Sequence, residues 1–282
     1  MLVFTTVIDL QKHLNSLRKT GKKIGFAPTM GALHTGHVSL IRLAKEKCDI
    51  AVCSIFVNPT QFNDPKDLEK YPRTPDEDIL LLSKNGCDVL FMPNVKEVYP
   101  SGLELKATPD FGSLATVMEG EFRPGHFDGM ARVVQRLLDI VQPDQLFMGQ
   151  KDFQQFSIVA NMLHQQHTDI QLVMCPTLRE ADGLAMSSRN IRLSPDHRLR
   201  AALIYKTLQE VRHSMSTKTP SELKKKAFET LQVAADFRPE YFEIVDGNTL
   251  QPIQNFANHT SVVACVATWL GAVRLIDNII LK

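Results

Sequence analysis

Residues 23–47 read KIGFAPTMGALHTGHVSLIRLAKEK, and their succession of strand, glycine-bearing turn and helix decides the fold class. Residues 23–28 form a short apolar strand. Residues 37–47 place Val38, Ile41 and Ala44 on one side, the spacing of an amphipathic helix. Between them, Gly31 and Gly36 let the backbone approach a ligand, and the helix start supplies N–H groups and a positive dipole end. His34 and His37 stand at that end and add donors that can be cationic. Together these features describe a phosphate site. A turn with two ordinary surface histidines is the competing reading, and a metal site is a third, with no cysteine or carboxylate nearby in sequence to complete it.

The same alternation extends outward. Val7, Leu10, Leu14 and Leu17 mark a first helix closed by Gly21. Residues 50–57 (IAVCSIFV) are a continuous apolar run of the kind buried on both faces of a parallel sheet. Asp76, Glu77 and Asp78 open a helix that runs to residue 85, where they oppose the positive end of its dipole. A strand over 88–92, a helix over 129–141, a strand over 144–148, a helix over 153–167 and a strand over 170–175 follow. Strands alternating with helices predict an α/β fold, a Rossmann-like doubly wound parallel sheet with ligands beyond the carboxyl ends of its strands. Past residue 176 the pattern becomes helices followed by strands. One helix is expected over 196–214, and another opens at Thr219 with a capping box to Glu222 and Pro220 at its first position. Strands are expected over 241–245, 261–268 and 272–276. The expected division is a Rossmann-like domain over 1–176 and a smaller C-terminal α+β domain over 177–282.

Length supports about two domains, or one large α/β domain with an appendage, since 282 residues stand against a typical ~150 per domain. With 32 basic and 31 acidic side chains the net charge is +1, so no global field recruits nucleic acid or an anionic membrane, and any anion must be bound locally. The longest uncharged apolar stretch, residues 260–273, falls short of the ~20 residues of a membrane span and reads as two buried strands. The N-terminus lacks the pattern of an export signal. Cys48, Cys53, Cys87, Cys175 and Cys265 include no CxxC pair and read as buried thiols of a reducing cytoplasm.

Three further segments carry polar chemistry at strand ends. Asn58 and Gln61, in VNPTQFN (57–63), offer amides that hydrogen-bond a ligand without carrying charge. In MGQKDFQQ (148–155), Lys151 can reach a phosphate, Asp152 can orient a ribose or a magnesium ion, and Gln155 lies one turn further on. In LREADGLAMSSRN (178–190), two hydroxyls and Arg189 suit a mobile clamp on a triphosphate. A polar stretch over 63–75 suits a lid that shields a water-labile intermediate.

Taken in order, PTMGALHTGH (28–37), IFVNPTQF (55–62), YPRTPDEDI (71–79), RPGHFDG (123–129), KDFQQF (151–156) and READGLAMSSRN (179–190) resemble the motifs of the pantothenate synthetase (pantoate–β-alanine ligase) family. That family belongs to the nucleotidylyltransferase and class I aminoacyl-tRNA synthetase superfamily, and the resemblance covers nearly the whole chain. It implies that Met30, Gly31, Ala32, Leu33, His34, Thr35, Gly36 and His37 hold ATP, with His34 and His37 on its phosphates and His37 the proton donor. It implies that Gly149, Gln150, Lys151, Asp152 and the backbone of Leu178 bind the adenosine side. Met186, Ser187, Ser188 and Arg189 stand where the superfamily has its mobile Lys-Met-Ser-Lys-Ser loop. By the same resemblance Gln61 contacts pantoate and β-alanine, Gln155 contacts pantoate, and His34, His37, Lys151 and Arg189 form the catalytic set. Tyr71, Glu119 and Arg123 resemble positions near the site or the subunit contact. The chain departs from the family at Gln150, where Glu is usual, and at Leu178, where Val is usual; both departures bear on nucleotide affinity.

The implied reaction has two steps. Pantoate attacks the α-phosphorus of ATP, giving a pantoyl adenylate and pyrophosphate; the amine of β-alanine then displaces AMP. ATP with Mg2+ is the implied co-substrate, with no prosthetic group, in a cytoplasmic homodimer. Two rivals share the His-x-Gly-His turn: an enzyme that leaves AMP on a phosphate ester, and a non-catalytic adenine-nucleotide sensor.

Overall fold

Strand β1 (Leu2–Phe4) is followed in chain order by α1 (Val7–Arg18), β2 (Ile24–Thr29), α2 (Thr35–Lys47), β3 (Ile50–Ile55), α3 (Pro75–Ser83), β4 (Val89–Phe91), α4 (His126–Val141), β5 (Gln145–Gly149), α5 (Phe153–Gln165) and β6 (Gln171–Cys175). The computed structural model describes residues 1–62, 68–69, 71–102 and 109–282. The chain folds as two units. Met1–Phe111, Arg123–Gly149 and Ile158–Pro176 form the first; Gly112–Phe122, Gln150–Ser157 and Thr177–Lys282 form the second.

In the first unit six strands lie parallel in the order β1-β4-β3-β2-β5-β6. The order reverses direction between β2 and β5, the switch point at which open α/β sheets place their ligands. The interior is apolar: Ala27, Ile41, Ala44, Ala51, Cys53, Leu90 and Phe147 pack in one cluster. Thr6 caps α1 by accepting from the Asp9 N–H, and Leu10 and Leu14 of that helix are fully buried. α4 packs on the helical turn Pro59–Gln61 so closely that a Cβ on Gly129 would stand 2.2 Å from the Thr60 carbonyl oxygen. Only glycine permits that approach, and it fixes where Gln61 lies.

The second unit holds α6 (Pro195–Arg200), α7 (Leu203–Ser214), α8 (Pro220–Gln232), β7 (Phe237–Asp246), β8 (Val262–Leu270) and β9 (Val273–Ile280). The three strands form an antiparallel sheet β7-β8-β9, whose core joins Phe242, Ile244, Val262 and Ala264 to Ile204, Leu208, Leu223 and Leu231 of the helices. The capping box expected at Thr219 is present, with Thr219 and Glu222 satisfying each other's backbone N–H. The apolar stretch 260–273, expected as two strands, is one strand, β8, and the turn at Gly271 (φ +57) that leads into β9, of which it holds only Val273.

Several boundaries differ from the sequence reading. The edge strand β1 carries no periodicity in three residues, and none was expected there. The single helix expected over 196–214 is two, because the Ile204 N–H bonds to Ala201, three residues back. β7 starts before Pro239, which masks it in sequence, and its register shifts between Pro239 and Tyr241. β9 continues beyond residue 276 through Asp277 and Asn278, both only 2% exposed. The stretch expected to act as a lid, 63–75, falls partly on residues 63–67 and 70, which lie outside the described residues.

All five cysteines are buried and free. Burial pushes the Cys87 and Cys175 thiols up to about 12 and raises Cys48, Cys53 and Cys265 as well. At pH 8 a thiol with a pKa of about 12 is thiolate to the order of 10⁻⁴, and thiolate is the form that alkylates. Iodoacetamide at pH 8 is therefore expected to leave the native protein unlabelled over the time in which the urea-unfolded chain takes up five labels, counted by mass spectrometry. Rapid labelling of native protein would contradict this burial.

Candidate active site

In the first unit the candidate site is the turn from β2 into α2. Gly31 (φ +82) and Ala32 (φ +49) both take left-handed backbone, which swings the chain over the end of β2 before α2 begins. His34 is the N-cap of α2, and its Nδ1 accepts from the Gly36 N–H at 3.1 Å. His37, at the third helical position, returns the contact by accepting the His34 N–H on Nδ1 at 3.3 Å. The two rings lie 4.1 Å apart. This is a capping box closed by two imidazoles. Both Nδ1 atoms accept backbone N–H groups, so the donor nitrogen of each ring is Nε2.

The turn is staked from outside by Asp78 of α3, which is 2% exposed. Its carboxylate accepts the Ala32 and Leu33 N–H groups at 2.9 and 2.7 Å and the Thr74 hydroxyl at 3.2 Å. Sequence reading placed Asp78 with Asp76 and Glu77 as helix-opening acids; the two neighbours are exposed, and Asp78 alone turns inward. Replacing its carboxylate by an amide would set an NH2 against a backbone N–H. Asp78→Asn is expected to lower stability by about 1–3 kcal/mol and to raise KM for ATP more than it lowers kcat. A melting curve and a KM both equal to wild type would remove Asp78 from the account.

Gln61, 7% exposed, is oriented by Asn58: the Asn58 Nδ2 donates to Gln61 Oε1 at 3.3 Å and to the Gly129 carbonyl at 3.2 Å. The Gln61 Nε2 in turn points at the Met30 sulfur, 2.8 Å away, so these two expected site residues are in contact. Tyr99 and Thr60 hydroxyls complete the Asn58 environment. Arg123 lies 3.1 Å from His126, whose other ring nitrogen meets the Gln61 carbonyl. Tyr71 stacks edge-on to Phe62 at 5.6 Å.

In the second unit Lys151 sits in the helical turn Gln150–Asp152, its ammonium 3.7 Å from the Asp152 carboxylate. Lys151, Ser187, Arg189, Asn190, Arg274 and Asp277 share the wall of one pocket. Ser187 caps the helical turn Ser188–Arg192, accepting from the Arg189 N–H. The Leu178 carbonyl accepts from the Met186 N–H at 3.0 Å, and Arg179 pairs across to Ala185, closing the loop on itself. Among the described residues, the Arg189 guanidinium and the Gln155 amide have no hydrogen-bond or ionic partner. Gln155, Met186 and Ser188 do not line the pocket.

The neighbouring Gln154 differs. It is buried and saturated by the Glu119 N–H and the Leu114 and Val117 carbonyls. Glu119 itself is bound bidentately by Arg274 and accepts from the Tyr241 hydroxyl, while Arg274 also reaches Glu240. Burial, then the Glu119 charge, pushes the Tyr241 phenol well above its ordinary value. These contacts bind Gly112–Phe122 into the second unit and give Glu119 a structural occupation.

A family model described as pantoate-beta-alanine ligase matches residues 2–280. The chain belongs to this family. A pantothenate synthetase of Porphyromonas gingivalis is 47% identical over 279 residues, covering 99% of each chain. Among solved structures, pantothenate synthetase from Thermus thermophilus superposes with a TM-score of 0.93 at 37% identity, covering 100% of both chains. Pantoate-beta-alanine ligase from Francisella tularensis, complexed with beta-gamma ATP and beta-alanine, gives 0.82 at 37% identity, covering 100% of this chain and 98% of that one. The six-stranded parallel sheet and the small antiparallel sheet are therefore the pantoate–β-alanine ligase fold, and no helix among the described residues is long and apolar enough to cross a membrane.

Proposed function

We propose that the protein condenses pantoate with β-alanine to pantothenate at the expense of ATP, the ligation for which its family is named, by way of a pantoyl adenylate. The observation that supports this most is the match of residues 2–280 to the family model. In this reading a pantoate carboxylate oxygen attacks the α-phosphorus and pyrophosphate leaves. The β-alanine nitrogen then attacks the acyl carbon, and AMP departs with the bridging oxygen. Chemistry of this kind needs alignment and charge stabilisation, with little covalent work from the protein.

The roles are those that the family resemblance implies, and the chemistry at each position suits them. His34 and His37 donate from Nε2 to the phosphates, His37 to the leaving group, from a turn whose backbone N–H groups Asp78 and the capping box hold. Met30 to Thr35 line the nucleotide. The Gln61 amide, held by Asn58, contacts pantoate and then β-alanine, and Gln155 contacts pantoate. Lys151, Ser187, Ser188 and Arg189 bring positive charge and donors to the phosphates; Gly149, Gln150, Asp152 and the Leu178 backbone meet the nucleoside. Mg2+ takes phosphate oxygens and water with one or two carboxylates, and the Asp152 carboxylate, 43% exposed, has the hard oxygens it prefers. When bound it would neutralise charge on the phosphates. The resemblance further supports a homodimer, and the buried free thiols suit a reducing cytoplasm.

Pantoate-dependent exchange of labelled pyrophosphate into ATP, followed by pantothenate on addition of β-alanine, tests this reading. Exchange without pantoate, or transfer of AMP to a phosphate ester, would favour the AMP-transferring rival; no turnover of ATP at all would favour the sensor.

A further inference from the structure

Two adjacent residues of β9, Asp277 and Asn278, reach both cation-bearing segments of the second unit. Asn278 donates from Nδ2 to the Gln150 and Lys151 carbonyls, each at 2.9 Å, and accepts from the Gln150 Nε2 at 3.1 Å. Asp277 binds Arg179 through both oxygens at 2.6 and 3.0 Å. Arg179 also donates to the Asn278 and Gly183 carbonyls, and its guanidinium lies 3.9 Å over the Tyr205 ring. Arg179 opens the loop that ends in Ser187–Arg189, and Asp277 shares a pocket wall with Lys151, Ser187 and Arg189.

Neither residue is needed to complete the sheet. Both are 2% exposed, and Asp277 lies on the same face of its strand as Val273, Leu275 and Ile279, which are aliphatic core. Burial raises the Asp277 carboxyl against the pull of Arg179, and a buried ion pair is in general weak evidence of a contribution to stability, since aliphatic replacements are often neutral or better. What the pair provides is position. A lysine ammonium rides on a flexible four-carbon stem, and its reach depends on where its Cα is held. The turn that carries it, Gln150–Asp152, is only three residues long and is tied at two consecutive carbonyls by one side chain.

Resting on the ligase reading above, we infer that Asn278 is a positioning residue of the adenylation step: by holding the Gln150 and Lys151 carbonyls it aims Lys151 at the phosphates, while Asp277 sets the Ser187–Arg189 loop against the same strand.

A double-mutant cycle on pantoate-dependent pyrophosphate exchange tests this. Asn278→Asp keeps volume and the acceptor for Gln150 but turns both donations to carbonyls into repulsion. It is expected to lower kcat for exchange by about 10- to 100-fold at saturating ATP and pantoate, within the range seen when a supporting partner of a catalytic group is lost. Lys151→Ala alone lowers it further, and Asn278→Asp added to Lys151→Ala is expected to cost less than about 3-fold more, since it acts through the missing ammonium. Should Asn278→Asp not fold, Asn278→Ser, which keeps one donor, replaces it with the same expectation. Wild-type exchange in Asn278→Asp, or full multiplication of the two losses, overturns the inference. A near-wild-type rate for Lys151→Ala would instead overturn the role given to Lys151 in the ligase reading, and so separates the two failures.

Discussion

Lys151→Ala is expected to lower turnover by about 10²–10³, the loss found when one preorganised donor to a transition-state oxyanion is removed, or about 2.7–4 kcal/mol of barrier. The physical basis is that Lys151 is a cation poised on a short turn whose carbonyls are already satisfied by Asn278, so its side chain is not required to hold the backbone. Its salt-bridge partner Asp152 is 3.7 Å away and 43% exposed, a contact of small structural worth, and its charge also reaches the buried Asp277, which Arg179 already pairs through both oxygens. The melting temperature should therefore stay within a degree or two of wild type while kcat falls. Steady-state kinetics beside a thermal melt measures both, and an unchanged kcat would remove Lys151 from the chemistry.

His37 has two occupations, and the second large effect separates them. Its Nδ1 closes the capping box by accepting the His34 N–H, and its Nε2 is the donor assigned to the phosphates. His37→Ala loses both, with an expected fall in turnover of about 10²–10³ and a loss of about 0.5–1 kcal/mol of stability from the hydrogen bond that closes the capping box, the His34 cap itself remaining. His37→Gln provides the contrast. Glutamine at the third helical position is a natural capping-box partner, so the stability should return while the rate does not. If His37→Gln recovers rate and stability together, the histidine serves the helix alone.

What sequence disclosed and what it concealed divides by the range of the interactions. The β2–α2 turn is legible because its glycines, its histidines and the helix they cap lie within a few residues of one another. The doubly wound sheet is legible because runs such as Ile50–Ile55 are buried on both faces. The supports of the site are not legible. Asp78 lies 46 residues from Ala32 and 45 from Leu33, and as letters it matches Asp76 and Glu77, which are exposed. Asn278 lies 128 residues from Gln150, and an Asp-Asn pair reads as the end of a strand, which is where the expected strand over 272–276 stopped. Both were hidden for the same reason: a buried polar side chain is recognised by its partners, and those partners come from remote parts of the chain. The two-histidine capping box was half legible. The spacing put both histidines at the helix start, but which ring nitrogen meets the backbone is set by the folded turn.

The central claim is that pantoate is activated as an acyl adenylate, and the fate of one oxygen atom tests it most directly. With pantoate labelled by 18O in its carboxylate, turnover with ATP and β-alanine should deliver one 18O to the phosphate of AMP, seen as an isotope-shifted 31P resonance, with none in pyrophosphate. Label in inorganic phosphate or pyrophosphate, or AMP free of label, would contradict it.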